Sequence, residues 1–258
     1  MNNDFIDLNL FQIMSAYLFI IILLVIVKVK KINREKEILV ASIRMTIQLI
    51  AMGYVLTYLF DNMSPIATII VIIVMEFFAV NNINKKCKVE NKRLKNIVVY
   101  SIILGTVSSL AYFILIVIKL PTWYDPSYVI PLAGMLIGNS MTGISLGVTT
   151  LMNGMESERD NIETLLMLGV APKEACKDLV SKAFDSAILP TINSMIGMGI
   201  VFLPGMMTGQ ILAGINPITA IMYQIAIMLG IVGSVSLSVI IFVQQGYKTF
   251  FNDKHQLV

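Results

Sequence analysis

The sequence predicts an all-α integral membrane protein of about seven transmembrane helices, N-terminus outside and C-terminus cytoplasmic. Three observations carry this prediction. Of 258 residues, 57% are hydrophobic and 14% charged, with a mean hydropathy of +0.81, the profile of a polytopic membrane protein and not of a soluble domain. The charges gather in a few clusters, leaving nearly charge-free runs that approach the roughly 20 residues needed to cross a hydrocarbon core of about 30 Å. Seventeen of the 19 basic residues fall on one side of those runs.

The runs are 8 to 27, 38 to 60, 65 to 80, 97 to 118, 129 to 152, 186 to 204 and 217 to 243. The first resembles a signal peptide only in hydropathy. Its leading residues carry Asp4 and Asp7, no basic residue precedes Lys28 and no small-residue cleavage site follows, so it reads as a retained helix. The third spans only 16 residues, ~24 Å of helix, and must borrow turns from its flanks or sit between other helices. Between the runs, clusters at 28 to 36, 85 to 95, 159 to 182 and 248 to 254 hold the basic residues, against Lys119 alone on the opposite side and Arg44 inside the second run. The positive-inside rule makes the basic side cytoplasmic, and the asymmetry requires an odd number of crossings. The net charge of +3 belongs to these loops and gives no reason to invoke nucleic acid. Cys87 and Cys176 lie in separate cytoplasmic loops, where a structural disulfide is not expected.

The longest polar stretch is 153 to 185, too short for a catalytic domain. Ile162, Leu165, Leu166 and Leu168 form one apolar stripe; Ala175, Leu179, Val180, Ala183 and Phe184 form a second at helical spacing. Gly169 can end the first helix and Pro172 suits the first turn of the second, giving a cytoplasmic helix, elbow and helix between spans five and six. Such a pair either lies on the membrane surface or serves as a docking element gripped by a partner.

Arg44 and Glu76 are ionisable residues within spans, ~6 to 9 Å below the inner surface at 1.5 Å per residue. Such groups are costly in lipid. An intramembrane ion pair between them is the plain expectation; snorkelling of Arg44 and a transport role compete with it. Gly134 with Gly138, and Gly143 with Gly147, have spacings that let helices approach closely, so helix packing is their expected use. Polar residues interrupt the same region: Asn139, Ser140 and Thr142, then Thr191, Asn193 and Ser194, then Gln210 and Gln224. They serve interhelical hydrogen bonds or line a pathway. In the segment 203 to 217, LPGMMTGQILAGINP, Pro204 removes a backbone donor and Gly205 and Gly209 tolerate unusual dihedrals, so the sixth helix should end or kink near Leu203. The segment is too apolar for an ordinary outer turn. It reads as a short helix or re-entrant piece at the outer mouth, a gate or vestibule.

The strings PLAGMLIGNSM (131 to 141), LLMLGVAPKEA (165 to 175), LPTINS (189 to 194), LPGMMTGQILAGINP (203 to 217) and AIMYQI (220 to 225) resemble the Fet-type iron-export ABC transporter permease family, which is similar to plant aluminium-resistance permeases. RMTIQL (44 to 49), GYVL (53 to 56) and the terminal HQLV (255 to 258) extend the resemblance over nearly the whole chain. The resemblance implies a single transmembrane permease domain over 1 to 258, in the bacterial inner membrane, which exports a metal ion. It implies a separate ATP-binding subunit that carries ATP and Mg, so this chain would be no enzyme and bind no cofactor of its own. It also implies a homodimer of the permease. No G-x-x-x-x-G-K-[ST] occurs in the chain, in keeping with a motor on another subunit.

Glu163 and Gly169 reproduce the E-x5-G spacing by which many ABC importer permeases contact their ATPase, although Thr164 and Leu165 replace the alanine pair. Glu163, Leu168, Gly169 and Pro172 are therefore the coupling candidates. The substrate path candidates are Asn139, Thr142, Thr191, Asn193, Met206, Met207, Thr208 and Gln210. No metal ligand set is assigned: hard cations favour oxygen, methionine favours softer ions, and the spans offer one acid and no histidine. A secondary transporter or channel without an ATPase, an organic substrate and a scaffold role remain as alternatives. An intramembrane enzyme is disfavoured because no His, Cys or paired-acid constellation lies at bilayer depth.

Overall fold

A computed structural model describes residues 9 to 252 and 256 to 257. Asp4, Asp7, Lys254 and His255, and with them the first residue of the predicted first span, lie outside the described residues. The described chain is helical, its β pairing limited to two isolated bridges, and it divides into two compact units: residues up to 63 with 212 to 214, and the rest.

The first unit is a helical hairpin. Helices α1 (Leu10–Ala16) and α2 (Leu18–Val29) follow one another with Tyr17 between them, and α3 (Glu35–Asp61) returns antiparallel. Lys31, at φ 53°, takes the left-handed conformation where the chain reverses. The Tyr17 hydroxyl bonds the Thr46 hydroxyl, tying α3 to the junction. Most large apolar side chains of these helices are exposed, the surface that lipid would solvate.

The second unit contains α4 (Pro65–Lys86), α5 (Lys92–Tyr112, continued by a π-helical turn to Ile118), α6 (Pro126–Ser157), α7 (Arg159–Met167), α8 (Pro172–Ala175), α9 (Lys177–Gly197), all but the last residue of α10 (Gly205–Leu212) and α11 (Pro217–Gly246, continued by a 3-10 turn to Phe250). Helix starts follow local chemistry: Asp125 and Asn216 accept from the backbone N–H groups of Ser127 and Ile218, with Pro126 and Pro217 in the first helical position. The core forms where α5, α6, α9 and α11 meet, around Val98, Ile102, Ile144, Val148, Val235 and Phe242, all essentially inaccessible. Small residues set how close these helices come. Ser101, Gly105 and Ser109 recur every fourth residue along the buried face of α5, and a Cβ built on Gly105 would lie 2.7 Å from the backbone nitrogen of Ser238 on α11. Ser140 of α6 and Ser234 of α11 share a hydrogen bond of 2.9 Å between buried hydroxyls.

Among the described residues, six helical segments are long and apolar enough to cross a membrane: Leu10–Val29, Glu35–Asp61, Pro65–Lys86, Lys92–Ile118, Pro126–Ser157 and Pro217–Phe250. The short third run does gain turns from its flank, since α4 continues to Lys86. Further predicted boundaries shift. Helix α6 runs on to Ser157 instead of ending near 152, and α9 begins at Lys177, before the predicted sixth run. Lys177, Asp178, Lys182 and Asp185 occupy the first half of α9, so its uncharged part is 186 to 197, about 18 Å of helix. The sixth helix also ends at Gly197, not near Leu203. Gly199 adopts φ +84° and its N–H bonds the Phe202 carbonyl at 3.0 Å, so the chain turns back before Pro204 is reached.

Candidate functional site

Two regions of the second unit carry the residues that the sequence singles out. The first is the elbow between α6 and α9. Helix α7 closes with a glycine stop: Gly169, at φ +83°, donates to Leu166 and Val170 donates to Leu165, each at 3.0 Å. Pro172 then opens α8 in its first helical position. Ile162 is fully buried and Leu165 and Leu166 are half-buried, but Leu168 stands 75% exposed, beside Met167 at 85%. Leu168 caps the C-terminus of α7, and the chain leaves the helical path there, so the side chain departs from the stripe its sequence spacing suggests. Glu163 is half-buried and accepts a hydrogen bond from Arg159 one turn earlier at 2.9 Å.

The elbow is braced against α6 and α9. Lys182 of α9 donates to Glu158 at 3.0 Å. Cys176 is wholly buried, its thiol 3.9 Å from the Met155 sulfur of α6 and an electrostatic neighbour of the Tyr247 phenol. Burial pushes the Cys176 thiol up to about 11, so it is neutral at physiological pH.

An open cleft of about 1220 Å3 lies between the elbow and the C-terminal segment that follows α11. Glu163, Gly169 and Pro172 line one wall; Tyr247, Phe251 and Leu257 line the other. The C-terminal wall is pinned by an antiparallel bridge between Phe251 and Leu257 and by hydrogen bonds between Asn252 and Gln256. Its place opposite the elbow has no signature in local sequence, because residues about eighty positions apart form the two walls.

The second region holds the polar groups of α6, α9 and α10. Helices α6 and α9 pack side by side. Asn139 and Thr142 are exposed on α6 and satisfy themselves by bonding the Met135 and Gly138 carbonyls. Thr191 of α9 is buried while Asn193 is exposed. In the short helix α10, Met207 is buried and Met206, Thr208 and Gln210 are half-buried, with Thr208 donating to the Pro204 carbonyl. These residues thus lie on three helices with differing exposure. Gly143 is buried where a Cβ would lie 3.0 Å from Val235 and 3.2 Å from the Ala187 carbonyl; Gly147 faces Ala187 and Phe242, Gly134 faces Met75, and Gly138 has open space.

Arg44 is exposed on α3 of the first unit. Glu76, on α4 of the second, is buried; the Thr106 hydroxyl of α5 donates to its Oε1, and Oε2 has no hydrogen-bond partner among the described residues. Thr106, on the buried stripe of α5, is a partner that sequence spacing did not reveal. No group of three or more His, Cys, Asp or Glu side chains that could hold a metal ion occurs among the described residues.

A family model described as "Uncharacterised protein family (UPF0014)" matches residues 10 to 251. The chain belongs to that family. The chain is 35% identical over 243 residues to "Probable iron export permease protein FetB" of Escherichia coli, covering 94% of this chain and 92% of that one. It is 35% identical over 227 residues to "UPF0014 membrane protein slr1647" of Synechocystis, covering 88% of each, and 30% identical over 244 residues to "Protein ALUMINUM SENSITIVE 3" of Arabidopsis thaliana, covering 94% and 88%. No solved structure matches the chain. With six spanning-length helices and these relatives, this UPF0014 member is a multi-pass helical membrane protein.

Proposed function

We propose that this chain is the permease subunit of an ABC-type metal-ion exporter, with iron as its cargo, driven by a separate ATP-binding subunit that docks on the loop 153 to 185. The observation that carries the reading is the elbow: a glycine-stopped helix that thrusts Met167 and Leu168 out from the protein, on the side holding nearly all the basic residues. Exposed large apolar side chains at a charged, soluble face are a surface that a protein partner covers. The similarity to a protein named a probable iron export permease supplies the cargo.

The reading includes a bacterial inner-membrane location with the N-terminus outside. It also includes a seventh crossing by the uncharged half of α9 and the turn after it, since the basic-residue asymmetry needs an odd count. A homodimer gives the usual pair of ATPase sites. Asn139, Thr142, Thr191, Asn193, Met206, Met207, Thr208 and Gln210 supply weak oxygen and sulfur contacts along the path, sufficient for transit of an ion that must also leave.

The test is co-purification through a tag on this chain with the ATP-binding protein encoded beside it, followed by ATP hydrolysis in proteoliposomes with and without iron. A stoichiometric complex whose hydrolysis rises with iron is expected. A complex indifferent to metals would replace iron with an organic cargo. A chain that purifies alone would favour secondary transport on an ion gradient, for which the buried carboxyl of Glu76 with its unpartnered oxygen is the supporting observation.

A further inference from the structure

The cleft beside the elbow has a second wall, and its chemistry describes what enters it. The floor is apolar: Leu166 and Val170 from the elbow meet Phe251 and Leu257 from the C-terminal segment. The rim is basic: Arg93 at the start of α5, Lys173 in α8 and Lys248 after α11, all exposed. A smaller adjoining pocket of about 410 Å3 adds Lys177 beside Lys173 and Lys248. Among the described residues the lining holds one acid, Glu163, which already accepts a hydrogen bond from Arg159.

The height of the cleft argues for a protein occupant over a lipid headgroup. Helix α6 has 32 residues, about 48 Å against a hydrocarbon core of about 30 Å. Trp123, Tyr124 and Tyr128 sit at its N-terminal end, the residues that anchor a helix end at a membrane interface. The excess, about 18 Å, therefore projects from the opposite end, where Ser157 hands over to α7. The cleft lies at that projecting end, concave and open to a folded partner.

We propose that the elbow and the C-terminal residues Tyr247, Lys248, Phe251 and Leu257 together form a two-walled socket, and that the ATP-binding subunit inserts an apolar projection flanked by carboxylates into it. This rests on the docking reading above and deepens it: the C-terminal segment is a docking element in its own right. The apolar tip of the projection covers Leu166, Val170, Phe251 and Leu257, and its carboxylates meet Arg93, Lys173 and Lys248. A partner held by both walls pulls on α6 through the elbow and on α11 through Tyr247 at once.

The experiment measures the affinity of the purified permease in nanodiscs for the ATP-binding subunit at two ionic strengths. Three forms are compared: wild type, Met167→Asp with Leu168→Asp, and Lys173→Glu with Lys248→Glu. The charge-reversal sites are exposed side chains, and a monodisperse nanodisc preparation confirms insertion. Binding weakened about tenfold or more by the charge reversal, with the difference shrinking as salt rises, is the expected result. If the elbow variant loses binding while the charge-reversed one binds as wild type, the socket is overturned and docking at the elbow alone stands. If neither variant weakens binding, docking at this loop falls as well. If charge reversal abolishes binding to anionic vesicles but leaves partner affinity intact, the basic rim serves lipid and the proposal is overturned. Leu257→Asp, which keeps every basic residue, provides a second reading of the same wall and is expected to weaken binding independently of salt.

Discussion

Replacing Gly105 with alanine should be felt more than its single methyl group suggests. The new Cβ would lie 2.1 Å from the Ser238 hydroxyl oxygen, 2.7 Å from its backbone nitrogen and 2.8 Å from its Cα. The hydroxyl can rotate away; the backbone cannot, so α5 and α11 must separate by several tenths of an ångström along a seam that is otherwise closely packed. Extra methylenes forced into a packed core cost about 1 to 3 kcal/mol. Alanine also gains up to about 1 kcal/mol of helix propensity over glycine, so the informative comparison is with Gly138→Ala. Position 138 has nothing within 4 Å of a built Cβ, and the propensity gain cancels between the two variants. The expected difference is about 1 to 3 kcal/mol in favour of Gly138→Ala, which at about 2 to 4 °C per kcal/mol is roughly 2 to 12 °C in melting temperature. Thermal unfolding of the purified chain in one detergent, followed through its single tryptophan, reads the difference. A Gly105→Ala protein that melts at or above Gly138→Ala would refute the close approach of α5 to α11 as the reason glycine stands there.

Other expectations concern the elbow and the buried polar contacts. Gly169→Ala places a side chain at φ +83° and should strain the turn by about 1 to 2 kcal/mol, lowering partner-stimulated ATP hydrolysis without affecting insertion, whereas Gly169→Asn, which tolerates that conformation, should retain more. Cys176 should react with a maleimide far more slowly than the half-buried Cys87 at pH 8; equal rates would contradict its burial. Because its folded value is raised from 9.0 to about 11, the native state holds a proton that the unfolded state has released, so stability falls as pH rises from 9 to 11. Alkaline denaturation of Cys176→Ala should be correspondingly flatter over that window. A double-mutant cycle on Ser140→Ala and Ser234→Ala should return a coupling of about 0.6 kcal/mol, the size typical of hydroxyl pairs between membrane helices; a value of zero would mean the bond is not formed.

Six of the seven predicted runs were legible as spanning-length helices, because lipid imposes a length and a composition that a sequence cannot disguise; the run 186 to 204 has no counterpart of that length among the described residues. The points where helices end were less so. Hydropathy marks where the chain leaves apolar surroundings, but backbone hydrogen bonding does not stop there: α6 continues through Asn153 and Glu156 to Ser157, and α9 takes up Lys177 to Asp185 before its uncharged half. The turn after α9 comes early because Gly197 and Gly199 offer a reversal before Pro204 can impose one. At the elbow, Gly169 and Pro172 announced themselves through dihedral preferences that are local in the chain. The C-terminal wall of the cleft and the Thr106 bond to Glu76 did not, since both depend on which helices lie side by side. Leu168 shows the limit of counting: its spacing fits the stripe, yet it caps the end of α7, and only the geometry of that cap shows it facing water.

The continuity of α6 has a mechanical consequence. A helix of 32 residues runs from Pro126 to Ser157 and leads to the elbow, so a displacement at the elbow would be carried along it as by a lever. Its weak point is Pro131, near the far end, where the missing N–H leaves the Ser127 carbonyl without its helical donor. A pivot there converts a small rotation into a large stroke: the arm from Pro131 to Ser157 is about 39 Å, and tilting it by about 5° sweeps its tip through ~3.4 Å. Read in reverse, a few ångströms of displacement at Met167 and Leu168 would reach the residues around Asn139 as an angle, shared along every turn between them.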